Sequence, residues 1–406
     1  MGDGTKEPKE SYEKREEYEM SILDHISDRL IDGLAVFINL FKKDWRRRNQ
    51  SKIQEWKLMA YALNRSPPAL LGLVIVVAYI IFGIIGPYLA SWPYDFFPVM
   101  YNSTSKLAPP GSNVFLNVTM VKNWHVIHYT TTVHYSIGSD LFGRDLLSVL
   151  LAGARTALVL DVFIIMIGPT FGIMLGLIAG YHGGAVDEAI MRITDMFLAF
   201  PGLILAIALS AVLPGRIQNF LNYHAFAQTL VLKLFALQPR DVNNLGKLLA
   251  VFVALIIVWW PGYTRITRGS TLTERENLYV EAARAIGLPS RTIMFRHILP
   301  NIIGPILVMI TMDFGGVILT EAGLSFLGLG AVPPIPDWGN LINQGAQYFP
   351  QAWWLVAFPG IVIVTVVLGW NLLGDGLRDI LDPRTRRSME FKVKKKRGAE
   401  GGESNA

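Results

Sequence analysis

The stretch from Ala69 to Ala90 contains LLGLVIVVAYIIFGIIGPYLA without a single charged residue. A helix of ~20 such residues crosses the hydrocarbon layer of a bilayer. Comparable runs recur at Arg155 to Ala179, Met196 to Leu213, Leu248 to Trp260, from Pro300 onward, and Leu355 to Leu373. Charged residues make up only 17% of the 406, against ~25% in a typical soluble protein. The expected fold is an all-α polytopic membrane protein with six transmembrane helices. There are no cysteines, which excludes disulfides, thiol chemistry and thiolate metal sites. In a membrane chain the net charge of +5 reports loop orientation, not nucleic-acid binding.

The polar stretches divide the chain. Residues 1–65 form an N-terminal extension whose amphipathic part runs through Ile22, Leu30, Leu34, Val36, Phe37 and Phe41, a pattern for a helix on the membrane surface. Lys42, Lys43, Arg46, Arg47 and Arg48 follow, and Arg65 precedes the first span, residues 66–91. The positive-inside rule makes this end cytoplasmic. Residues 92–150 are then external, with a hairpin over Val114 to Met120 and Trp124 to Tyr135. Two sequons, at Asn102 and Asn117, sit on the same side. His125, His128 and His134 lack carboxylates at ligand spacing, so no metal site is expected.

Residues 151–384 form the core. Gly172, Gly176 and Gly180 recur every four residues, a spacing for close helix packing. Pro201 is expected to kink the third span. Residues 214–247 read as an external insertion with a helix at Ala225 to Leu237, its face formed by Phe226, Leu230, Leu234 and Leu237. Asp161, Asp313 and Glu321 lie within spans and are candidate pathway residues, with interhelical hydrogen bonding as the alternative. Residues 385–406 are a basic, flexible, cytoplasmic tail. Six spans with both termini inside place a basic loop, residues 271–299, in the cytoplasm.

That loop carries EAARAIGLPSRTIMFRHILPN, Glu281 to Asn301. Tyr279, Ala282, Ala283 and Ile286 share a helical face, Gly287 suits a left-handed helix end, and Pro289 discourages continuation. Ser290 is positioned to cap a second short helix with Met294, His297 and Ile298 on one side, and Pro300 opens the next span. Small residues on a membrane-flanked double helix form a docking surface for another protein.

Glu281, Ala282, Ala283, Gly287, Leu299 and Pro300 resemble the EAA loop of ABC-importer permeases, with His297 in place of the general Ile. Further matches stand in family order. Gly138-Ser139-Asp140 with Gly143-Arg144-Asp145 resembles G-T-D-x-x-G-R-D, and Gly180-Tyr181-His182-Gly183-Gly184 opens a G-Y-x-G-G turn. Trp260-Pro261-Gly262-Tyr263, Glu321 to Gly330, Pro336 to Gly339 and Gly374 to Arg384 complete the set. Residues 64–384 therefore resemble the "C"-type permease of dipeptide, oligopeptide and nickel importers, with a type I importer core in the cell membrane.

The resemblance implies a second related permease, two ATPase subunits and an external substrate-binding protein as partners. ATP and Mg would be bound by the ATPases, with no cofactor or catalytic residue in this chain. It assigns coupling to Glu281, Ala282, Ala283, Arg284, Gly287 and Arg291. Peptides are the expected cargo, with oligosaccharides or nickel as alternatives. A rival of another class is an ion-coupled secondary transporter.

Overall fold

A computed structural model describes residues 22–381 except 42, 43, 123 and 124. The first residues and the basic tail 385–406 lie outside the described residues. The chain divides into two units, residues 1–67 with 383–406 and residues 68–382.

In the first unit, α1 (Ile22–Phe41) and α2 (Gln50–Asn64) form an antiparallel pair joined through a turn of helix at Trp45–Arg48. Polar side chains hold them in register. Asn64 Nδ2 donates to Asp24 Oδ1 (3.0 Å) and Ser27 Oγ (3.2 Å), and Lys57 Nζ lies 2.6 Å from Asp32 Oδ2. Ala35 and Ile53 are buried between them.

The second unit begins with α3 (Pro67–Leu89), followed by a hairpin of β1 (Ser112–Lys122) and β2 (His125–Tyr135) in the register Ser112 to Tyr135 and Lys122 to His125. Alternation places Val114, Leu116, Val133 and Tyr135 on one buried face with Ala108. Then come α4 (Leu146–His182), α5 (Gly184–Leu198), α6 (Gly202–Val212), α7 (Pro214–Tyr223) and α8 (Ala225–Phe235). The chain continues with α9 (Leu245–Glu274), α10 (Leu278–Ala285), α11 (Leu299–Phe326), α12 (Trp338–Ala346) and α13 (Trp354–Leu381). Among the described residues five helices are long and apolar enough to cross a membrane, and the α5–α6 pair makes a sixth if counted as one span.

The most extensive helix pair is α4 with α9, and the glycine stripe explains it. A Cβ on Gly172 would lie 2.3 Å from Trp260 O, one on Gly176 2.5 Å from Thr264 O, and one on Gly180 2.7 Å from Thr271 Cβ. Two backbones thus run together through three turns, closer than any side chain permits. Glycines also seat α3: Gly72 faces the backbone of Leu373 on α13, and Gly86 that of Leu151 on α4.

Three expectations need correction. The third span is broken rather than kinked: α5 and α6 meet at 82° across Ala199–Pro201, where Pro201 takes an extended ψ of 122° and cannot donate to a helical bond. The helix at Ala225 ends at Phe235, and its inward face differs from the expected one. Phe226 and Leu230 are exposed, whereas Phe235 and Leu237 are buried with Leu232 and Leu234 packed beside them. Neighbours decided this: Arg155 Nε on α4 donates to Leu234 O (2.9 Å), which sets the rotation of α8. The insertion is also joined to the segment before the hairpin, because Tyr94 donates to Asp241 Oδ2 (2.6 Å) and Arg240 pairs with Asp95. Finally, Ser290 does not cap a separate helix. Pro289 holds the N-cap position, Ser290–Thr292 is one α turn, and a π-helical stretch at Ile293–Ile298 leads directly into α11.

Candidate functional site

The sequence Leu278–Ala285 folds as a helix because nothing within it breaks one, and Gly287 ends it at φ +79°. Gly287 N–H donates to Arg284 O (2.9 Å) and Leu288 N–H to Ala283 O (3.1 Å), the paired bonds of a Schellman stop. Among the described residues no atom beyond its chain neighbours lies within 4 Å of where a Gly287 Cβ would sit, so the glycine is required for its backbone angle and not for space.

One edge of α10 is fixed in the body. Val280 and Ala283 are buried in a cluster with Leu177, Tyr263, Ile293, Met294, Ile298 and Ile302. Tyr279 donates to Glu274 Oε1 (2.6 Å) and accepts from Asn301 Nδ2 (2.9 Å). The Arg284 guanidinium lies 5.1 Å from the centre of the Tyr181 ring, a cation–π contact to the end of α4. The opposite edge is open. Leu278 is 82% and Ile286 76% exposed, and Glu281, Ala282, Arg284, Gly287 and Arg291 are exposed as well. The expected shared face of Tyr279, Ala282, Ala283 and Ile286 is therefore split: Ala283 points inward and Ala282 and Ile286 outward. Val280, absent from that face, anchors the helix.

Ion pairs hold α5 near the same end of α9. Arg268 makes a two-pronged pair with Asp187, Arg265 Nη2 lies 2.6 Å from Asp195 Oδ1, and Arg275 Nη1 donates to Gly180 O (2.9 Å). The loop between α4 and α5, the end of α9 and the start of α10 are thus tied together by charge-assisted contacts.

The three candidate carboxylates do not form one site. Asp161 on α4 is 1% exposed and accepts from Tyr79 Oη of α3 (2.6 Å). The helix begins at Leu146, so Asp161 lies well inside α4, where the alternative of interhelical hydrogen bonding describes it. Glu321 on α11 is also buried, and Ser325 Oγ lies between Glu321 Oε1 (3.1 Å) and Asp337 Oδ2 (2.8 Å). Asp337 caps α12 by accepting from Asn340 N–H (2.8 Å). Its burial pushes its carboxyl above the usual carboxylate range. Asp313 stands ~12 Å away along α11, eight residues before Glu321. It is half-buried, and its Oδ2 accepts from Trp259 Nε1 (2.9 Å) and Tyr263 Oη (2.8 Å) of α9. Asp161 and Glu321 are closed off from the surface of this chain, and Asp313 is partly open.

Sequence reasoning missed Tyr79. Its only signal was a hydroxyl in an otherwise apolar run, and its partner lies 82 residues away. The Gly-Ser-Asp and Gly-Arg-Asp pair proves to be a clamp. Arg144, 2% exposed, donates to Asp140 Oδ2 (2.6 Å), to Pro334 O (2.9 Å) and to Tyr94 O (3.3 Å). Three loops meet on that one guanidinium. Among the described residues no group of three or more metal-ligating side chains occurs.

Comparison with known proteins shows the family. The family described as the binding-protein-dependent transport system inner membrane component matches residues 172–387. The N-terminal TM domain of oligopeptide transport permease C matches residues 55–110. The dipeptide transport system permease protein of Alkalihalophilus pseudofirmus is 35% identical over 82% of this chain and 91% of its own length. The corresponding protein of Haemophilus influenzae is 33% identical over 79% and 91%. The glutathione transport system permease protein of Pectobacterium atrosepticum is 39% identical over 62% and 73%. The secondary-transporter alternative is thereby closed. With its membrane-length helices and a family whose members are not themselves ATPases, the chain belongs to the binding-protein-dependent transport inner membrane components, as a multi-pass permease subunit of an ABC importer.

Proposed function

We propose that this permease imports short peptides, paired with a second related permease, and that α10 is where two partner ATPases drive it. The observation that carries the coupling assignment is the two-sided character of α10. Val280 and Ala283 bind it into the body, while Leu278, Glu281, Ala282 and Ile286 are presented outward above exposed Arg284 and Arg291. A helix fixed along one edge moves as a rigid piece when its other edge is pushed. The Schellman stop at Gly287 sets the direction in which α10 leaves the π turn and α11, so displacement of α10 is passed to a spanning helix. Binding and hydrolysis of ATP with Mg belong to the partner subunits. The surplus of arginine at this end supports placing it, and both termini, in the cytoplasm. An external binding protein would deliver cargo at the opposite face.

Peptide cargo rests on relatives named for dipeptide, di- and tripeptide, and glutathione transport. A ligand screen on the partner binding protein, offering peptides and oligosaccharides, tests it; retention of oligosaccharides alone refutes it. Gly287→Val tests the coupling role. A β-branched residue at φ +79° costs at least ~1–2 kcal/mol of backbone strain at the junction, while its Cβ meets open space. Substrate-stimulated ATP hydrolysis by the reconstituted complex is expected to be lost while the subunits still co-purify. Unchanged stimulation refutes the assignment.

A further inference from the structure

The helix pair α1–α2 precedes the first span, and α1 lies outside both matched regions, residues 55–110 and 172–387. Its two faces are sharply different. Asp24, Asp28, Asp32 and Ala35 fall on the side turned to α2, where Asn64 and Lys57 engage the acids. On the other side Ile26, Leu30 and Leu34 recur every four residues and are 48%, 69% and 51% exposed. Pairing the acids with α2 fixes the rotation of α1, so this apolar stripe has no way to turn inward.

Sequence continuity says what covers it. Only Arg65 and Ser66 separate α2 from α3, so Asn64 and Pro67 are at most ~10 Å apart. The end of α2 is thus held at the surface of the bilayer that α3 enters. Asn64, at that end, is bonded to Asp24 and Ser27, which brings the Ile26 end of α1 to the same surface. The far end of the pair is basic: Arg47 and Arg48 are exposed, next to Lys42 and Lys43 in the sequence. A helix with an apolar stripe and cations beyond it lies in the plane of the interface, its apolar side in the acyl boundary and its cations among anionic headgroups.

We propose that α1 lies in the plane of the membrane, on the leaflet from which α3 starts, with Ile26, Leu30 and Leu34 inserted in lipid and α2 riding above it. The covering surface is lipid rather than another protein. This holds whichever side of the membrane that leaflet faces, so it stands or falls independently of the coupling role.

The absence of native cysteines allows a direct test on the whole assembly. Leu30→Cys, Leu34→Cys and, as a control on the exposed side of α2, Lys52→Cys are spin-labelled one at a time. The permease complex is reconstituted in nanodiscs of phosphatidylcholine and phosphatidylglycerol. Labels at 30 and 34 are expected to collide with oxygen in preference to a water-soluble nickel chelate, at a depth of ~5–10 Å below the headgroups. The label at 52 is expected to show the reverse preference. Chelate access at both 30 and 34 equal to that at 52 overturns the proposal. So does lipid exposure at 30 with water exposure at 34, which would mean an upright hairpin. Shielding of both labels from oxygen and chelate alike would assign the stripe to a protein partner and also overturns it.

Discussion

Removing the Arg144 guanidinium is expected to loosen the loops at Tyr94, Asp140 and Pro334 as a unit. The side chain and its partner Asp140 are 2% and 0% exposed, so neither charge has water to fall back on. In Arg144→Met, Asp140 Oδ1 keeps its two backbone donors, Phe142 N–H and Arg144 N–H, both at 2.9 Å. Oδ2 loses its donor, and the carbonyl of Pro334 loses a bond of 2.9 Å. Breaking a buried pair from one side costs ~3–5 kcal/mol. Asp140→Asn is expected to be costly for the mirror reason, leaving a buried cation with only carbonyl partners. The double variant removes both charges, so its cost should fall short of the sum of the two by ~1–3 kcal/mol. Unfolding of the purified complex in mixed micelles, titrated with SDS, supplies the four corners of the cycle. Additive losses, or an Arg144→Met cost below ~1 kcal/mol, would refute the view of this guanidinium as a buried clamp.

Other positions give independent checks. Gly176→Ala places a Cβ 2.5 Å from Thr264 O and should cost ~1–3 kcal/mol, while Gly269→Ala, with nothing within 4 Å, should be neutral or slightly stabilising in the same titration. Asp313→Asn keeps an acceptor for Trp259 and Tyr263, so folding should survive. If the charge meets cargo, uptake of cationic peptides into proteoliposomes should fall ~10-fold relative to neutral ones, equivalent to ~1.4 kcal/mol, and an equal effect on both removes Asp313 from the pathway. Asp337 has a raised folded-state pKa, so the native chain holds more protons than the unfolded one. Its contribution to stability therefore falls as pH rises from the unfolded value of ~3.9 through the raised value. Asp337→Asn preserves the cap of α12 and should flatten that decline in thermal midpoints measured against pH; an unchanged slope would count against it.

Much of this protein could be read from local physics. The spans follow from runs of apolar residues too long for anything but a bilayer. The stop at Gly287 follows from the backbone angle that residue permits, acting over one turn of chain, whereas at Pro201 local physics indicated only a kink. The glycine repeat on α4 announced a close helix contact because the absence of a side chain means the same in any setting. The family motifs were legible for the same reason, since each is a short run whose members sit on one turn or one helix end.

What the sequence left open depended on neighbours distant along the chain. Whether Ala282 or Ala283 faces inward is settled by the packing of Ile293, Met294 and Ile298 against α10, and a rotation of one residue reverses the answer. The inward face of α8 was set by Arg155 reaching Leu234 from α4. The roles of Asp161 and Arg144 came from Tyr79 and the Pro334 carbonyl, partners 82 and 190 residues away, and that of Glu321 from Ser325, which in turn reaches Asp337 12 residues on. An acid in an apolar run states only that something must satisfy it. Which hydroxyl or guanidinium does so is decided where the helices cross, and that crossing exists only in the folded chain.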